Sequence, residues 1–435
     1  GTVFVTSPTL EIKIPLTIQV YPFSLPKTMH CRSAIGLDFD TVVQYQNLKT
    51  NSEKRRVLDL YLKSFSTHRL SPINPVPLDP YRVDWNNTLP TFDWSSWDRS
   101  IRQVLKNYNF NSFKIPFHGL GGGDNLRRKK PTLAGFPEDD IRYTKAFSAY
   151  AEAIESHLSE KGWLDHAFIY WFDEPRVNDY SFLRKGFQKL KDYAPSIPRL
   201  LTEPYTTELR GGPTIWCPLL SQFEPTNSSK SSSFWWYICS QPESPYIGIF
   251  IDRPGIDLRT WLWQTWHHGI EGILIWQSVY WNSIVAYPDS PQDPFRDPMS
   301  WASAHASLDK GMKKWGNGDG RLLYPPLSKQ LTENKANIQG PIESIRWEML
   351  RDGIEDYEYF YQLKLRVEKS TILPQCYVEH YSNLLKVPET ITRSRVIYSI
   401  DPQPLREHRH TLAKAISELD SISAGLLSTN CNRLQ

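Results

Sequence analysis

The feature that most constrains the fold of this chain is an apolar run that ends in two adjacent carboxylates, at residues 168–175. Residues 168–172 have the length and the aromatic and β-branched content of a strand buried on both faces. Pro175 ends this strand because proline supplies no N–H and fixes its own φ. The run therefore predicts a buried parallel strand whose carboxyl end carries Asp173 and Glu174.

Asp173 and Glu174 could form a catalytic pair or a helix cap. Two neighbouring carboxylates repel each other, so one of them should hold its proton more tightly than an isolated carboxyl does. A proton donor beside an ionised partner is what glycoside cleavage requires. Either residue could also cap the helix predicted at residues 180–193. The pair alone leaves both interpretations open.

Segments of strand character and helix character alternate along most of the chain. About eight apolar strand segments, separated mostly by amphipathic helices, indicate a parallel sheet. A length of 435 residues fits a closed barrel with appendages better than an open sheet. We therefore predict an α/β fold, a (β/α)8 TIM-type barrel at residues 30–368, with a short N-terminal β segment at residues 1–29 and a C-terminal helical extension at residues 369–435.

Local patterns place the elements within this frame. A long Pro-rich stretch, residues 72–90, suggests a functional loop because it exceeds an ordinary connection. The Gly-rich residues 118–123 suggest a mobile loop, since no helix opens directly after them as a phosphate site would need. The periodicity predicts helices at residues 53–65, 94–108, 139–161, 180–193, 261–269, 341–368 and 404–419.

Functional side chains of such barrels lie at the carboxyl ends of the strands. We place there the following residues: Arg69, His118, Asp173, Glu174, Glu203, Tyr237 and residues 276–281. Arg69 could bind a sugar hydroxyl or form a buried ion pair, and both roles are equally open. Glu203 could face the pocket, although a role at a helix start or behind the site is favoured.

Composition excludes several classes of function. The formal net charge is +3, and the chain lacks a basic block with interleaved aromatics, so nucleic acid is not expected as a partner. No apolar span is long enough to cross a membrane. The 16 Trp and 22 Tyr suit stacking on sugar rings, although core filling explains most of them. The chain begins at Gly1 without a signal peptide, so we expect a processed product and slightly favour a secreted or periplasmic location.

Cysteine and histidine patterns give no sign of a metal centre or a disulfide framework. The five Cys have neither close pairs nor metal-type spacing, and an odd number argues against a full framework. Cys217 and Cys239 lie in apolar runs and are interpreted as small buried hydrophobes. His267 and His268 are sequence neighbours that point in different directions, so they cannot share a metal as an i, i+4 pair would.

Five motifs carry a resemblance to a known family: Trp171-Phe172-Asp173-Glu174-Pro175, Trp235-Trp236-Tyr237, Gly272-Ile273-Leu274-Ile275-Trp276, Gly320-Arg321-Leu322-Leu323-Tyr324-Pro325, and Ile345-Arg346-Trp347-Glu348-Met349-Leu350-Arg351-Asp352-Gly353-Ile354-Glu355-Asp356-Tyr357-Glu358. Together they resemble glycoside hydrolase family 123 and its relatives, a group of bacterial origin typified by N-acetyl-β-galactosaminidases. The resemblance covers residues 33–425, and the last motif is specific to the group.

The resemblance implies a (β/α)8 barrel behind an N-terminal β-sandwich, of which residues 1–29 would be a remnant. It also implies a retaining mechanism in which the 2-acetamido group of the substrate attacks the anomeric carbon. Glu174 matches the general acid/base, and Asp173 matches the carboxylate that orients the acetamido group and stabilises the oxazolinium ion. Burial and the charge of Asp173 are expected to raise the pKa of Glu174.

The remaining site residues are candidates for substrate binding. Tyr237 and Tyr280 are candidates for the tyrosine that holds the acetamido group, and Trp276 and Trp281 could form the floor of the sugar site. Arg69 and His118 complete the candidate set. The resemblance implies no metal and no organic cofactor, and it implies a glycan or glycoconjugate as substrate.

Two other functions stay open at this point. With Glu174 as acid/base and Glu203 as nucleophile, a retaining enzyme would work by double displacement, with carboxyl oxygens about 5–5.5 Å apart. That enzyme would accept sugars without an acetamido group. A carbohydrate-binding pseudoenzyme would keep the aromatic floor without a working acid, but both carboxylates are present here.

Overall fold

The computed structural model describes residues 1–124, 128–225, 232–283, 292–302, 314–326 and 335–431. The chain divides into two compact units. The larger unit comprises Lys27–Glu358 and Val387–Pro404, and the smaller one comprises Gly1–Pro26, Tyr359–Lys386 and Leu405–Gln435. The candidate active site lies in the larger unit.

Nine α-helices occur within the described residues: α1 (Phe39–Tyr45), α2 (Asn51–Thr67), α3 (Ser95–Tyr108), α4 (Ile141–Glu160), α5 (Tyr180–Tyr193), α6 (Asp257–His267), α7 (Ile345–Lys369), α8 (Gln375–Leu384) and α9 (Gln403–Ser423). Polar caps start several of them. Thr50 and Glu53 form a reciprocal capping box at the start of α2, which satisfies two backbone N–H groups that the helix cannot. All seven predicted helices are confirmed, whereas α1 and α8 were not predicted.

The strands are short, and their bounds are β1 (Thr2–Ser7), β2 (Leu10–Pro15), β3 (Arg32–Ile35), β4 (Arg82–Asn86), β5 (Leu89–Asp93), β6 (Phe113–Lys114), β7 (Gly122–Gly123), β8 (Arg128–Lys129), β9 (Thr132–Leu133), β10 (Phe136–Pro137), β11 (Ala167–Phe168), β12 (Leu200–Leu201), β13 (Ile215–Trp216), β14 (Ser233–Tyr237), β15 (Gly272–Ile275), β16 (Met299–Ala302), β17 (Lys314–Asn317), β18 (Leu323–Tyr324), β19 (Ile342–Glu343), β20 (Thr392–Ser394) and β21 (Ile397–Tyr398).

A curled parallel sheet forms the centre of the larger unit. Its five hydrogen-bonded strands run in the order β12, β13, β14, β15, β3. Strand β11 pairs in parallel with β6, and an isolated parallel bridge joins Ile169, after β11, to Arg199, before β12. A second parallel bridge joins Ile35 in β3 to Pro72. Parallel strands that share one sheet present their carboxyl ends at a common edge, which is where ligands bind in α/β folds.

The inward-facing side chains of these strands form one buried cluster, whose members are Ala34, Phe168, Leu200, Ile215, Cys217, Trp235, Tyr237 and Leu274. The rings of Phe168 and Trp235 meet edge to face, with centroids 5.6 Å apart. A Cβ atom at Gly272 would lie 2.6 Å from the indole of Trp235, so only glycine allows β15 to pass this close to the ring. This packing fixes where each strand ends.

The Pro-rich stretch differs from its prediction, because it contains a β-hairpin rather than a long loop. Strands β4 and β5 pair antiparallel, with Trp85 opposite Pro90. Asn87 at the turn has a φ of +54°, a conformation that asparagine tolerates better than most residues. Proline is compatible with a strand at a free edge, and this is why proline content alone misled the prediction.

The smaller unit contains the β1–β2 hairpin and the helical end of the chain. Val3 pairs with Ile14, and Val5 pairs with Ile12, so one face of the hairpin is apolar. Cys376 and Cys431 form a disulfide, a pairing that the spacing of the cysteines did not indicate. Cys31, Cys217 and Cys239 are free thiols. No helix among the described residues is long and apolar enough to cross a membrane.

Candidate active site

Asp173 and Glu174 follow β11 at a strained turn. Glu174 has a φ of +42°, which is uncommon for a residue other than glycine. A residue before proline also favours extended backbone. Strain of this kind costs on the order of 1–3 kcal/mol, persists only where neighbours impose it, and is concentrated at functional sites. Here the backbone N–H of Glu174 donates to Oγ1 of Thr202 over 2.8 Å.

Neither carboxylate caps a helix, which removes the structural alternative for the pair. A 3-10 turn begins at Val177, and α5 begins at Tyr180. The side chain of Asp179 accepts from the backbone N–H of Arg176 at the start of this turn. The carboxyl groups of Asp173 and Glu174 are therefore available for other contacts.

Two hydroxyl groups hold the carboxylate of Asp173. Tyr170 donates to Oδ1 over 2.5 Å and Thr202 donates to the same oxygen over 2.8 Å. The backbone N–H of Asp173 donates to the carbonyl of Gly123 over 2.9 Å. Burial, together with the charge of Asp173, holds the pKa of Tyr170 well above its ordinary value. The phenol thus stays protonated and keeps donating to the carboxylate.

A different residue holds the carboxylate of Glu174. The hydroxyl of Tyr237, at the end of β14, donates to Oε1 over 2.5 Å. Burial and then the charge of Glu174 raise the pKa of Tyr237 far above that of a free phenol. The two adjacent carboxylates therefore have separate donors, Tyr170 and Thr202 for one and Tyr237 for the other. Their environments differ although they are neighbours in sequence.

Lys114 brings a positive charge close to the pair. Its ammonium nitrogen lies 5.4 Å from the centroid of the Tyr170 ring, whose hydroxyl contacts Asp173. Burial lowers the pKa of Lys114, and the negative charge of Asp173 opposes this effect. The negative charge of Asp173 thus favours the protonated form of the buried Lys114.

Glu203 lies behind Glu174 and is held by α5. The hydroxyl of Tyr180 donates to Oε1 of Glu203. Burial is the main cause that raises the pKa of Glu203; the charge of Glu174 adds to it and the Tyr180 hydrogen bond opposes it. A nucleophilic carboxylate must be ionised, and burial disfavours that form of Glu203.

Glu203→Gln is expected to stabilise the fold at neutral pH. Because the pKa of Glu203 is raised in the folded state, the wild type loses stability as the pH rises through the range between the unfolded and folded values. Gln carries no charge and can still accept from Tyr180. We expect a small gain in the free energy of unfolding at pH 7 that vanishes at acidic pH. Denaturant unfolding at both pH values measures it, with the exposed neighbour Glu208→Gln as control. Equal effects of the two substitutions would contradict the assignment.

Arg69 lies at the opposite edge from the one predicted. The parallel bridge between Ile35 and Pro72 shows that the second strand follows Arg69, so this residue precedes a strand instead of ending one. Its guanidinium donates to Glu355 of α7 over 2.8 Å, which is the ion pair that the sequence left as an alternative. The misplacement arises because this strand lacks the apolar run that marked the others.

His118 follows β6 at the same edge as the carboxylate pair. Its side chain is exposed, and its backbone N–H donates to the hydroxyl of Tyr150 over 3.1 Å. A ligand at this edge could reach the ring, and the binding role of His118 stays a prediction.

The three aromatic candidates after β15 have different surroundings. Trp281 is completely buried, and its N–H donates to the carbonyl of Leu323, so its ring serves the core in this structure. Trp276 and Tyr280 are half-buried, with ring centroids 4.9 Å apart. The N–H of Trp276 donates to Asp319 over 3.1 Å. Trp276 and Tyr280 are therefore the aromatics of this loop that could contact a sugar.

The thiol of Cys239 is influenced by charged groups next to this loop and in the carboxylate pair. Burial, followed by the charges of Asp319 and Glu174, raises the pKa of the Cys239 thiol. Cys239 thus lies within electrostatic range of both the partner of Trp276 and the candidate acid. We therefore treat the loop after β15 and the turn after β11 as parts of one candidate site.

Three residues of the site were not anticipated, namely Lys114, Tyr170 and Thr202. Lys114 and Tyr170 lie within runs that were interpreted only as strands. Thr202 lies one residue before Glu203, the candidate on that strand. The available signal was alternation, since a strand turns every second side chain inward. A polar residue at the last inward position of a barrel strand can reach the site.

Thr202→Val is expected to lower the free energy of unfolding by about 1–3 kcal/mol, because it leaves the N–H of Glu174 without its acceptor and removes a donor to Asp173. Thr202 is buried, and valine has nearly its shape. Chemical denaturation measures the change. Thr260→Val is a matched control, since Thr260 is fully buried and its hydroxyl has no hydrogen-bond partner within the described residues. Equal losses in both variants would reject the role of Thr202.

A family model and a solved structure both match large parts of this chain. The family model described as the glycoside hydrolase 123 catalytic domain matches residues 83–363. A solved family 123 glycoside hydrolase from Clostridium perfringens, whose structure addressed glycolipid glycan hydrolysis, superposes with a TM-score of 0.57 at 15% identity. That match covers 98% of this chain and 75% of the other. No curated protein matches the sequence.

Two further solved structures show weaker similarity. A rutinosidase from Aspergillus niger has a TM-score of 0.28 at 10% identity, over 57% of this chain and 80% of its own. A xylanase from Cellvibrio japonicus has a TM-score of 0.31 at 9% identity, over 75% of this chain and 97% of its own.

Proposed function

This chain belongs to glycoside hydrolase family 123 and is a glycoside hydrolase, and we propose that it is a retaining, exo-acting β-N-acetylhexosaminidase. The proposed substrates are β-N-acetylgalactosaminides of glycans or glycoconjugates. In this proposal the 2-acetamido group of the substrate supplies the nucleophile. The preference for galactosaminides over glucosaminides rests on the family resemblance alone.

The observation that carries the proposal is the separate support of two adjacent carboxylates. Asp173 accepts from Tyr170 and Thr202, while Glu174 accepts from Tyr237. Adjacent carboxylates cannot flank a sugar ring on opposite faces as an acid and a protein nucleophile do. They can act on the same face if the substrate brings its own nucleophile, which supports the acetamido mechanism.

The chemistry divides between the two residues. Glu174 donates a proton to the glycosidic oxygen while the acetamido carbonyl oxygen attacks the anomeric carbon, so the bond to the aglycone breaks and an oxazolinium ion forms. Asp173 accepts a hydrogen bond from the acetamido N–H and balances the positive charge. Glu174, now ionised, then removes a proton from a water molecule while that water attacks the anomeric carbon and opens the oxazolinium ring. Two displacements at one carbon retain the β configuration.

Strand contacts support a closed (β/α)8 barrel as the scaffold. Beyond the five-stranded sheet, the backbone N–H of Lys114 donates to the carbonyl of Ile73 over 2.8 Å. With the bridges at Pro72 and Arg199, this bond links eight parallel strand positions in sequence order, and β15 pairs with β3. The connection between β12 and β13 has only a 3-10 turn, so the proposed barrel is irregular there.

Double displacement with Glu203 as nucleophile is the competing mechanism. It gains support from the electrostatic proximity of Glu203 to Glu174. Against it stands the burial that favours the neutral form of Glu203, an effect that the hydrogen bond from Tyr180 opposes only in part. A mechanism that requires Glu203 to be ionised therefore works against its environment.

Turnover of three nitrophenyl glycosides tests the proposal, namely the β-N-acetylgalactosaminide, the β-N-acetylglucosaminide and the plain β-galactoside. We expect hydrolysis of the first and none of the third, with the β anomer as the first product by NMR. Comparable turnover of the plain galactoside would overturn substrate assistance. Absence of turnover with all three would reject an exo-acting hexosaminidase.

A further inference from the structure

A histidine and two glutamates form a polar cluster outside the active site. His68 ends α2, Glu343 lies in β19, and Glu348 is in the first turn of α7. One potential ligand atom from each lies within 4.8 Å of the other two. These residue types are ligands for divalent transition metals. The sequence separates His68 from the glutamates by more than 270 positions, so spacing could not reveal the cluster.

The imidazole of His68 is oriented as a ligand. The residue is 3% exposed, and Nδ1 lies 2.8 Å from the backbone carbonyl of Ser64. A hydrogen bond from Nδ1–H to this carbonyl fixes the tautomer and leaves the lone pair on Nε2. Metal-binding histidines commonly donate their other ring N–H in this way.

Nε2 of His68 lies close to the carboxylate of Glu348 but makes no hydrogen bond to it. Nε2 is buried and has no hydrogen-bond partner within the described residues, yet it lies 3.2 Å from Oε1 of Glu348. Two lone pairs at this distance repel unless a cation stands between them. Around a tetrahedral zinc ion with bonds of about 2.0–2.2 Å, donor atoms lie about 3.3–3.6 Å apart. The separation between Nε2 and Glu348 is close to the lower end of this range, while Oε1 of Glu343 lies 3.7 Å from Nδ1 of the same ring.

Both glutamates are oriented by further contacts. The hydroxyl of Ser64 donates to Oε1 of Glu343 over 2.7 Å. Arg351 pairs with Oε2 of Glu348 over 2.6 Å, which leaves Oε1 directed at His68. Such outer contacts are typical of metal sites. The carboxylate side chains are 34% and 31% exposed, so an ion and a water ligand can reach them.

We propose that His68, Glu343 and Glu348 bind one divalent cation of the zinc type, which joins the end of α2 to the start of α7. One arginine balances one of the two carboxylates, so a divalent ion meets a net negative site. We assign the ion no part in the glycosidase reaction, because none of its ligands contacts Asp173, Glu174 or their hydrogen-bond partners within the described residues. Its proposed role is to hold the start of α7 against the end of α2.

Titration of the chelator-treated full chain with Zn²⁺ and with Co²⁺ tests this site. We expect uptake of one equivalent by calorimetry, the visible absorption of four-coordinate Co²⁺, and a rise in Tm with either ion. His68→Gln and Glu348→Gln should each weaken binding by more than about 10-fold. Glu343→Gln should weaken binding to the same extent. Of the three substitutions it is the least expected to disturb the fold, because the side chain of Glu343 is the most exposed of the three ligands.

His157→Gln is the matched control, because His157 pairs with Asp98 over 2.7 Å in a contact that Lys161 completes. This variant should bind the metal as the wild type does. Failure of the wild type to take up either ion would overturn the proposal and leave a protonated His68 paired with Glu348. Binding that survives both His68→Gln and Glu343→Gln would place the ion elsewhere and overturn it equally.

Discussion

Glu174→Gln is expected to lower kcat/KM for a β-N-acetylgalactosaminide by about 10²–10⁴-fold, the usual contribution of a positioned general acid. Gln keeps the shape of the side chain and can still accept from Tyr237, so the fold should be unchanged. What it lacks is the proton for the leaving oxygen. Steady-state kinetics measure the loss, and a thermal unfolding curve shows whether the variant is folded.

The size of the loss should depend on the leaving group. An aglycone that leaves as an alkoxide needs the proton, whereas nitrophenolate leaves with little help, so a disaccharide should suffer more than a nitrophenyl glycoside. Glu160→Gln on the exposed end of α4 is the control and should retain full activity. If Glu174→Gln stayed active with the disaccharide while Glu203→Gln lost activity, the acid role would belong to Glu203.

The strained turn gives this prediction its structural basis. Glu174 adopts a positive φ before a proline, and Thr202 and Tyr237 fix its backbone and its carboxyl group. A residue with only a structural role could relax to an extended conformation, since nothing in its own sequence favours the turn. Backbone strain at a polar residue is better explained by the need to orient its side chain.

The carboxylate pair could be predicted from the sequence because its signal is local. An apolar run that stops at two acids is visible in eight residues, and burial on both faces follows from composition. The helices were predictable for the same reason, since each carries its own periodic stripe. Local patterns also located β14 and β15, which supply Tyr237 and the loop that begins at Trp276.

The supporting residues of the site could not be predicted because they depend on pairing between distant segments. Thr202 contacts Asp173 only because Ile169 pairs with Arg199, and no local pattern reports that register. Arg69 was misplaced since the strand at Pro72 has no apolar run. Trp281 was proposed as a sugar platform, yet its N–H donates to the carbonyl of Leu323, a residue 42 positions further along the sequence. Aromatic type alone does not distinguish a platform from a core residue.

Asp173→Asn is expected to lower kcat for the acetamido substrate by about 10²–10³-fold, as does the loss of a group that stabilises charge in a transition state. Asn can still accept from Tyr170 and Thr202, so the turn should keep its geometry. It cannot balance the positive charge that develops on the acetamido group. The loss should therefore appear in kcat more than in KM.

Binding of an intermediate mimic separates this effect from a folding defect. A thiazoline analogue of the oxazolinium ion should inhibit the wild type more tightly than the product does, and Asp173→Asn should lose most of that extra affinity. The exposed Asp139→Asn is the control and should keep both activity and inhibition. Lys114 lies near the same carboxylate, so Asp173→Asn also removes the negative charge that interacts with this buried lysine.

The outcome distinguishes the two mechanisms for this enzyme. If the acetamido group is the nucleophile, Asp173→Asn and Glu174→Gln both lose activity and Glu203→Gln retains it, because Glu203 contributes only support through Tyr180. If the protein supplies the nucleophile, Glu203→Gln loses activity and Asp173→Asn keeps it, and the plain galactoside becomes a substrate. Activity that survives in Asp173→Asn would therefore refute substrate assistance even if Glu174→Gln were inactive, since both mechanisms require the same acid.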